Sequence, residues 1–162
     1  MEKILKYVYE RKRLSKALRL ISHGAGFVAF WVFCFVATRT ALLSPISALK
    51  LCAIIGLSYL IVSAARLFID APRPYETYGF YENAPKKKKG VSFPSRHTFL
   101  MFAIATAVAP TAPISASVLA TLGLLLAVSR VLLGIHFIRD VLCGALLGII
   151  SSLLGLFILS PF

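Results

Sequence analysis

The segment TFLMFAIATAVAPTAPISASVLATLGLLLAVS, residues 98–129, decides the fold of this chain. Its 32 residues carry no formal charge, and one continuous helix of that length would extend about 48 Å at 1.5 Å per residue. A hydrocarbon core is only roughly 30 Å thick, and Pro110 and Pro113 interrupt helical geometry in the middle of the segment. The segment therefore predicts two transmembrane helices, over 95–112 and 113–129, joined by a tight turn.

Three other apolar runs predict further transmembrane helices over 20–38, 51–69 and 141–162. Of the 162 residues, 59% are hydrophobic and the mean hydropathy is +0.85, far above that of a soluble domain. We therefore expect one all-α domain, 1–162, that forms an integral membrane bundle of about five transmembrane helices. No small-residue cleavage pattern follows the N-terminal charges, so the first span is expected to remain in the protein.

Two polar segments flank these spans. Residues 1–19 hold seven basic side chains interleaved with apolar ones, which predicts a basic amphipathic helix at the headgroups. Residues 70–94 are rich in Pro, Tyr, Glu and Asn and include the run Lys86 to Lys89, so they predict an aqueous loop beside the candidate site. A solvated charge run is the simpler interpretation of the four lysines, although they are also suited to gathering anionic headgroups.

The formal net charge of +12 indicates an anionic partner. A nucleic acid is not expected, because the chain has no polar, basic-faced domain to present to a duplex. The predicted partners are the bilayer and a lipid phosphate substrate, and the pattern gives no oligomeric state.

Ionisable side chains near transmembrane segments are costly, so their positions mark candidate functional sites. They form three clusters, and all three lie on one side of the membrane if the predicted spans alternate in direction. The clusters are Arg66 with Arg73, then Ser95 with Arg96 and His97, then Arg130 with His136 and Asp140.

The side chains in these clusters favour phosphoryl transfer without a metal or another cofactor. They include two histidines, one carboxylate and several arginines, but no pair of carboxylates or cysteines to bind a metal. A neutral, oriented imidazole such as His136 is a competent nucleophile, and Asp140 could fix its tautomer from the same helical face or across a non-helical turn. His97 would then protonate the leaving group.

Arginine forks suit phosphate oxygens, so Arg66, Arg73 and Arg130 are the predicted ligands of the substrate phosphate. Ser95 and the backbone amides at the start of the following helix would add donors where the helix dipole favours an anion.

The order and spacing of these residues resemble the type 2 phosphatidic acid phosphatase family, which is related to the vanadium-dependent haloperoxidases. The family motifs are Lys, six residues, Arg-Pro; Pro-Ser-Gly-His; and Ser-Arg, five residues, His, three residues, Asp. Here the third motif is complete from Ser129 to Asp140, whereas Arg66 replaces the lysine and Arg96 replaces the glycine. The matching positions extend from residue 66 to residue 140.

The resemblance implies a phosphorylated His136 supported by Asp140, with His97 as the acid and no metal. It also implies a phosphate site with five members, namely Arg66, Arg73, Ser95, Arg96 and Arg130. Arginine at position 66 keeps the positive charge, but Arg96 adds a long side chain where glycine offers chiefly its amide. Arg96 could contact a second phosphate, contact a headgroup, or point to water.

The distribution of basic residues predicts the orientation. The N-terminal segment has seven, the 70–96 loop has six and the 130–140 connection has two, against only Arg39 and Lys50 on the other side. Basic loops favour the cytoplasm, so we expect a protein of the bacterial inner (plasma) membrane whose active site faces the cytoplasm.

An inward-facing site suits a lipid phosphate monoester such as phosphatidylglycerophosphate, phosphatidate or a polyprenyl-linked phosphate. The alternatives are an undecaprenyl (polyprenyl) diphosphate phosphatase and, in another class, a non-catalytic protein that binds anionic lipid. Binding alone requires positive charge but not an oriented imidazole pair, so the two histidines and Asp140 favour an enzyme.

Overall fold

The computed structural model describes residues 1–80, 82 and 89–159. Within these ranges the regular structure is helical, as the sequence predicts. The α-helices are α1 (Glu2–Glu10), α2 (Lys12–Leu43), α3 (Pro45–Phe68), α4 (Pro74–Thr77), α5 (Arg96–Val108), α6 (Pro113–Leu132) and α7 (Ile138–Leu159). The predicted charge run at positions 86–88 lies outside the described residues.

Four of these helices, α2, α3, α6 and α7, are long and apolar enough to cross a membrane. The prediction of an integral, all-helical membrane bundle is thereby confirmed. The fifth expected span is shorter than predicted, because α5 has only 13 residues and extends about 20 Å. It ends at Val108, shortly before Pro110, which has no backbone N–H to continue the helical hydrogen bonds.

Helix boundaries differ from the sequence prediction at the N-terminal side. The expected single amphipathic helix over residues 1–19 is divided at Arg11, whose φ of −102° and ψ of 84° are not helical. The helix that contains the first predicted span begins at Lys12, eight residues before Leu20, so it continues into the basic segment. The next helix begins at Pro45, where Ser44 caps it by accepting a hydrogen bond from the Ser47 amide.

Helix α1 is docked on the bundle. Its Leu5 and Val8 are buried, and Val8 belongs to a small apolar cluster with Leu133 and Ile135. The connection between α6 and α7 turns at Gly134, whose φ is +66°, and a Cβ there would lie 2.6 Å from the Leu5 side chain. The N-terminal segment therefore covers the turn that leads to His136.

Helix α5 lies at the centre of the bundle, where it contacts α2, α3, α6 and α7. Its closest neighbour is α7, and the two backbones meet along Gly144, Gly148 and Ser152. A Cβ at Gly144 would lie 2.6 Å from the Ser95 carbonyl oxygen, and one at Gly148 would lie 2.4 Å from that of Phe99. The Ser152 hydroxyl donates to the carbonyl of Ala103 at 3.0 Å. Small residues at this spacing allow close helix approach in a membrane.

This helix contact brings the first turns of α5 and α7 together. The backbone N–H of Ser95 donates to the carbonyl of Asp140 at 2.9 Å. The end of the bundle where α1 lies, which we call the α1 end, thus contains the last turn of α3 and the first turns of α5 and α7. All three predicted polar clusters lie at this end.

Replacing Gly148 by alanine is expected to lower the free energy of unfolding by about 1–3 kcal/mol, because overpacking forces the two backbones apart. Gly56→Ala is the matched control, since its Cβ would meet nothing within 4 Å and alanine favours helix. Thermal unfolding in detergent measures both variants. Equal stability of the two variants would contradict the assigned α5–α7 contact.

Candidate active site

His136 lies in the connection between α6 and α7, and Asp140 lies in the first turn of α7. The Nδ1 atom of His136 is 3.6 Å from the Oδ2 atom of Asp140, and both side chains are buried. Because α7 begins at Ile138, the pair does not share a helical face. The spacing allowed a contact along one helical face or a contact across a non-helical turn. The structure has the second, because His136 lies before the helix and Asp140 lies within it.

Ser92 completes this pair. Its hydroxyl donates to Oδ2 of Asp140 at 2.5 Å and lies 3.4 Å from Nδ1 of His136. The same carboxylate oxygen accepts the backbone N–H of Phe137 at 2.9 Å. With these donors on Oδ2, the carboxylate is held in the orientation that lets it accept a hydrogen bond from a protonated Nδ1 of His136. That tautomer leaves Nε2 of His136 unprotonated.

Sequence reasoning did not identify Ser92. It is fully buried, but it is uncharged and lies in a polar loop, so nothing in its composition distinguishes it from its neighbours. The only signal is its position two residues before Pro94, at the edge of the second motif.

Burial, together with the nearby Arg73 and Arg130, lowers the pKa of His136 to about 4 against the opposing effect of Asp140. The imidazole is therefore neutral at physiological pH. A neutral imidazole retains the lone pair that a nucleophile requires.

Arg66 and Arg73 extend under the loop that carries Ser92. The Arg66 guanidinium donates to the carbonyls of Val91, Ser92 and Pro94. Arg73 donates to the carbonyls of Gly90, Val91 and Ile135 at 3.1, 3.4 and 3.2 Å. Both predicted phosphate ligands thus fix the backbone around the site, and Arg73 joins the loop to the segment before His136.

Arg130 is the third buried arginine, and its Nε atom has no hydrogen-bond partner among the described residues. The buried charged side chains of the described chain are therefore three guanidiniums and the single carboxylate of Asp140. Desolvated charge is costly unless it is compensated. The site has an excess of buried positive charge, which an anion would neutralise.

The three predicted site residues at the start of α5 differ in their burial. Ser95 is buried, but its hydroxyl pairs with that of Thr98 at 3.0 Å and its amide is bonded to Asp140, so these donors are engaged within the protein. His97 is exposed, in the first turn of α5 at the same end of the bundle as His136. The half-buried Arg96 has its guanidinium carbon 6.0 Å from the centre of the Tyr59 ring.

The structure therefore brings Arg66, Arg73, Arg130, His136 and Asp140 into one buried cluster. Arg96 lies at its edge, close enough to Arg66 to interact with its charge, and the exposed His97 follows Arg96 in the first turn of α5. No group of three His, Cys, Asp or Glu side chains suited to a metal ion occurs in the part of the chain that the structure describes.

Residues 47–160 match the model of the PAP2 superfamily, and the chain belongs to that family. The match includes all three polar clusters and confirms the resemblance seen in the sequence. Among curated proteins no sequence matches the chain.

The fold is also found in solved structures. The chain is similar to LpxE of Aquifex aeolicus, with 24% identity, a TM-score of 0.73, and coverage of 96% of this chain and 93% of that one. It is also similar to the PAP2-type phosphatidylglycerolphosphate phosphatase of Bacillus subtilis, with 22% identity, a TM-score of 0.72, and coverage of 97% and 83%. Family and fold together support a membrane lipid phosphatase.

The ring of His136 is expected to stay neutral as the pH falls from 7 to 5, because its pKa lies near 4. NMR of protein labelled with ¹⁵N only at histidine would report this as unchanged ring shifts. The unfolded chain binds the proton near pH 6.5, so the stability contributed by the neutral ring is complete above pH 6.5 and is lost as the pH falls toward 4. Protonation of His136 between pH 6 and 7 would contradict its assigned environment.

Proposed function

We propose that this chain is a metal-independent lipid phosphatase that hydrolyses a lipid phosphate monoester through a phosphohistidine on His136. The observation that carries the proposal is the excess of buried positive charge around a buried, neutral imidazole. A site that only bound lipid would need the arginines but not the ordered set of Ser92, His136 and Asp140. Catalysis requires that set, because it orients the nucleophile.

The phosphate would enter beside Arg130, whose Nε lacks a partner in the described part of the chain, and would draw in the other guanidiniums. Phosphoryl transfer spreads charge over three equatorial oxygens, and planar bidentate donors suit them. The Nε2 atom of His136 would attack phosphorus while the bond to the lipid oxygen breaks. Asp140 would stabilise the positive charge that develops on the ring.

His97 would donate a proton to the departing lipid alkoxide, which leaves as an alcohol. It would then take a proton from the water that attacks the phosphohistidine, so inorganic phosphate is released and His136 returns to its neutral form. The exposed position of His97 suits this role, because the leaving group and the water must both reach it.

The substrates we favour are phosphatidylglycerophosphate, phosphatidate and polyprenyl-linked phosphates. The first has further support, because the Bacillus subtilis structure that shares this fold is named as a phosphatidylglycerolphosphate phosphatase. We place the protein in the bacterial inner membrane. Its α1 end would face the cytoplasm, because that end carries the basic N-terminal segment.

An undecaprenyl diphosphate phosphatase is the second candidate. Arg96 favours it, because a half-buried arginine at the edge of the phosphate cluster is placed to bind a second phosphate. Rates on a matched pair of polyprenyl monophosphate and diphosphate would decide between the two, with Arg96→Gly reducing only the diphosphate rate if the second candidate is correct.

Vanadate, an analogue of the transition state, is expected to stabilise the protein by about 2.7 kcal/mol at 100 times its Kd. In thermal unfolding, the Arg130→Met variant should lose most of the stabilisation by vanadate. Without an anion, this variant should be at least as stable as the wild type, because an uncompensated buried charge has been removed. Arg39→Met, on the other side of the predicted membrane, is the control. A large loss of stability in anion-free Arg130→Met would show that the arginine is compensated in the protein.

His136→Ala should abolish phosphate release from the three monoester lipids and should remove any acid-labile phosphoenzyme trapped with ³²P-labelled substrate. His97→Ala should slow turnover while leaving the phosphoenzyme detectable, because the nucleophile remains. His23→Ala is the matched control for loss of a histidine. Retained turnover in His136→Ala would falsify the mechanism, and full inhibition by chelators would contradict metal independence.

A further inference from the structure

A second basic site lies between α1 and the first turns of α2. It is a cavity of about 430 Å³ that the proposed reaction does not use. Its lining consists of Tyr9, Lys12, Ser15, Lys16 and Arg19.

The lining suits an anion that bears several oxygens. Three of its five side chains are cationic and none is a carboxylate, so the positive charge is not neutralised within the lining. Arg19 is held in place, because one of its terminal nitrogens donates to the hydroxyl of the buried Ser15 at 3.0 Å. The two lysines lie one helical turn apart, so both ammonium groups can reach one ligand.

The position of the cavity along α2 favours a lipid as the source of that anion. Leu20 and Ile21 follow Arg19 directly, and both are exposed on the helix that continues into the membrane. Arg19 therefore lies at the boundary between headgroups and hydrocarbon, where a lipid phosphate lies. The acyl chains of such a lipid would run along the exposed apolar side of α2.

Tyr9 connects this cavity to the candidate active site. Its hydroxyl donates to the carbonyl of Leu133 at 2.7 Å, and its ring lies 5.7 Å from that of Phe80. Leu133 begins the turn that passes through Gly134 to His136. Burial raises the pKa of Tyr9 to about 12, so its hydroxyl remains a donor at any physiological pH.

We propose that this cavity binds the phosphate of an anionic lipid that is not hydrolysed, and that Tyr9 transmits its occupancy to the turn before His136. A ligand held by Lys12, Lys16 and Arg19 would fix α1 against the start of α2. That would hold Leu5 and Tyr9 on the turn and keep the nucleophile in place. The binding claim is independent of the proposed function, whereas the coupling claim rests on it.

Binding is tested by native mass spectrometry of the protein in detergent, with phosphatidylglycerol as the probe. Lys12→Gln/Lys16→Gln should weaken binding about 30-fold, since each basic residue near an anionic lipid contributes about a fivefold factor. The control is Lys3→Gln/Arg13→Gln, which removes two exposed charges of α1 and α2 outside the lining. An equal loss of phosphatidylglycerol binding in both double variants would overturn the site. If soluble glycerol 3-phosphate bound as tightly as phosphatidylglycerol, the ligand would be a free anion and the lipid assignment would be wrong.

Coupling is tested in phosphatidylcholine vesicles that contain a fixed fraction of phosphatidate, with and without phosphatidylglycerol. The wild-type rate should rise about fivefold or more with phosphatidylglycerol. This ratio should fall to near one in Lys12→Gln/Lys16→Gln and in Tyr9→Phe, and should persist in the control double variant. A wild-type ratio of one, or a Tyr9→Phe ratio equal to that of the wild type, would overturn the coupling. Absence of any hydrolysis would instead refute the proposed function and leave the binding result standing.

Discussion

The hydrogen bonds of Asp140 hold the candidate site together. Its carboxylate binds Ser92 and the amide of Phe137, and its backbone carbonyl accepts the amide of Ser95. One residue of α7 thereby fixes the loop before α5, the start of α5 and the segment that carries His136. The orientation of the imidazole and the approach of the two helices depend on the same buried group, which links the fold directly to the chemistry.

The arginines show how the site tolerates excess positive charge. Arg66 and Arg73 donate to backbone carbonyls, so each guanidinium is partly solvated by peptide dipoles. The Nε of Arg130 has no hydrogen-bond partner within the described ranges, so this cation would gain most from an incoming anion. Arg66 and Arg73 thus support the loop, whereas Arg130 keeps one nitrogen that is not used for such support.

Sequence reasoning predicted the parts of this structure that depend on hydropathy and spacing. The turn at Pro110 and Pro113 and the gathering of the polar clusters at one end follow from such patterns. The docking of α1 was not predictable, because a stripe containing Leu5 and Val8 suits a bilayer surface as well as a protein surface. The role of Ser92 was not predictable either, because it depends on the contacts of its hydroxyl with Asp140 and His136, which exist only in the folded chain.

The short helix α5 has a mechanical consequence. It is too short to cross a bilayer, and its backbone rests on α7 at Gly144 and Gly148. When bilayer thickness changes, longer helices such as α2 and α3 adjust by tilting to relieve hydrophobic mismatch. The Ser95 amide also donates to the Asp140 carbonyl, so the spacing between these two residues is set by contacts within the protein and not by the thickness of the surrounding lipid.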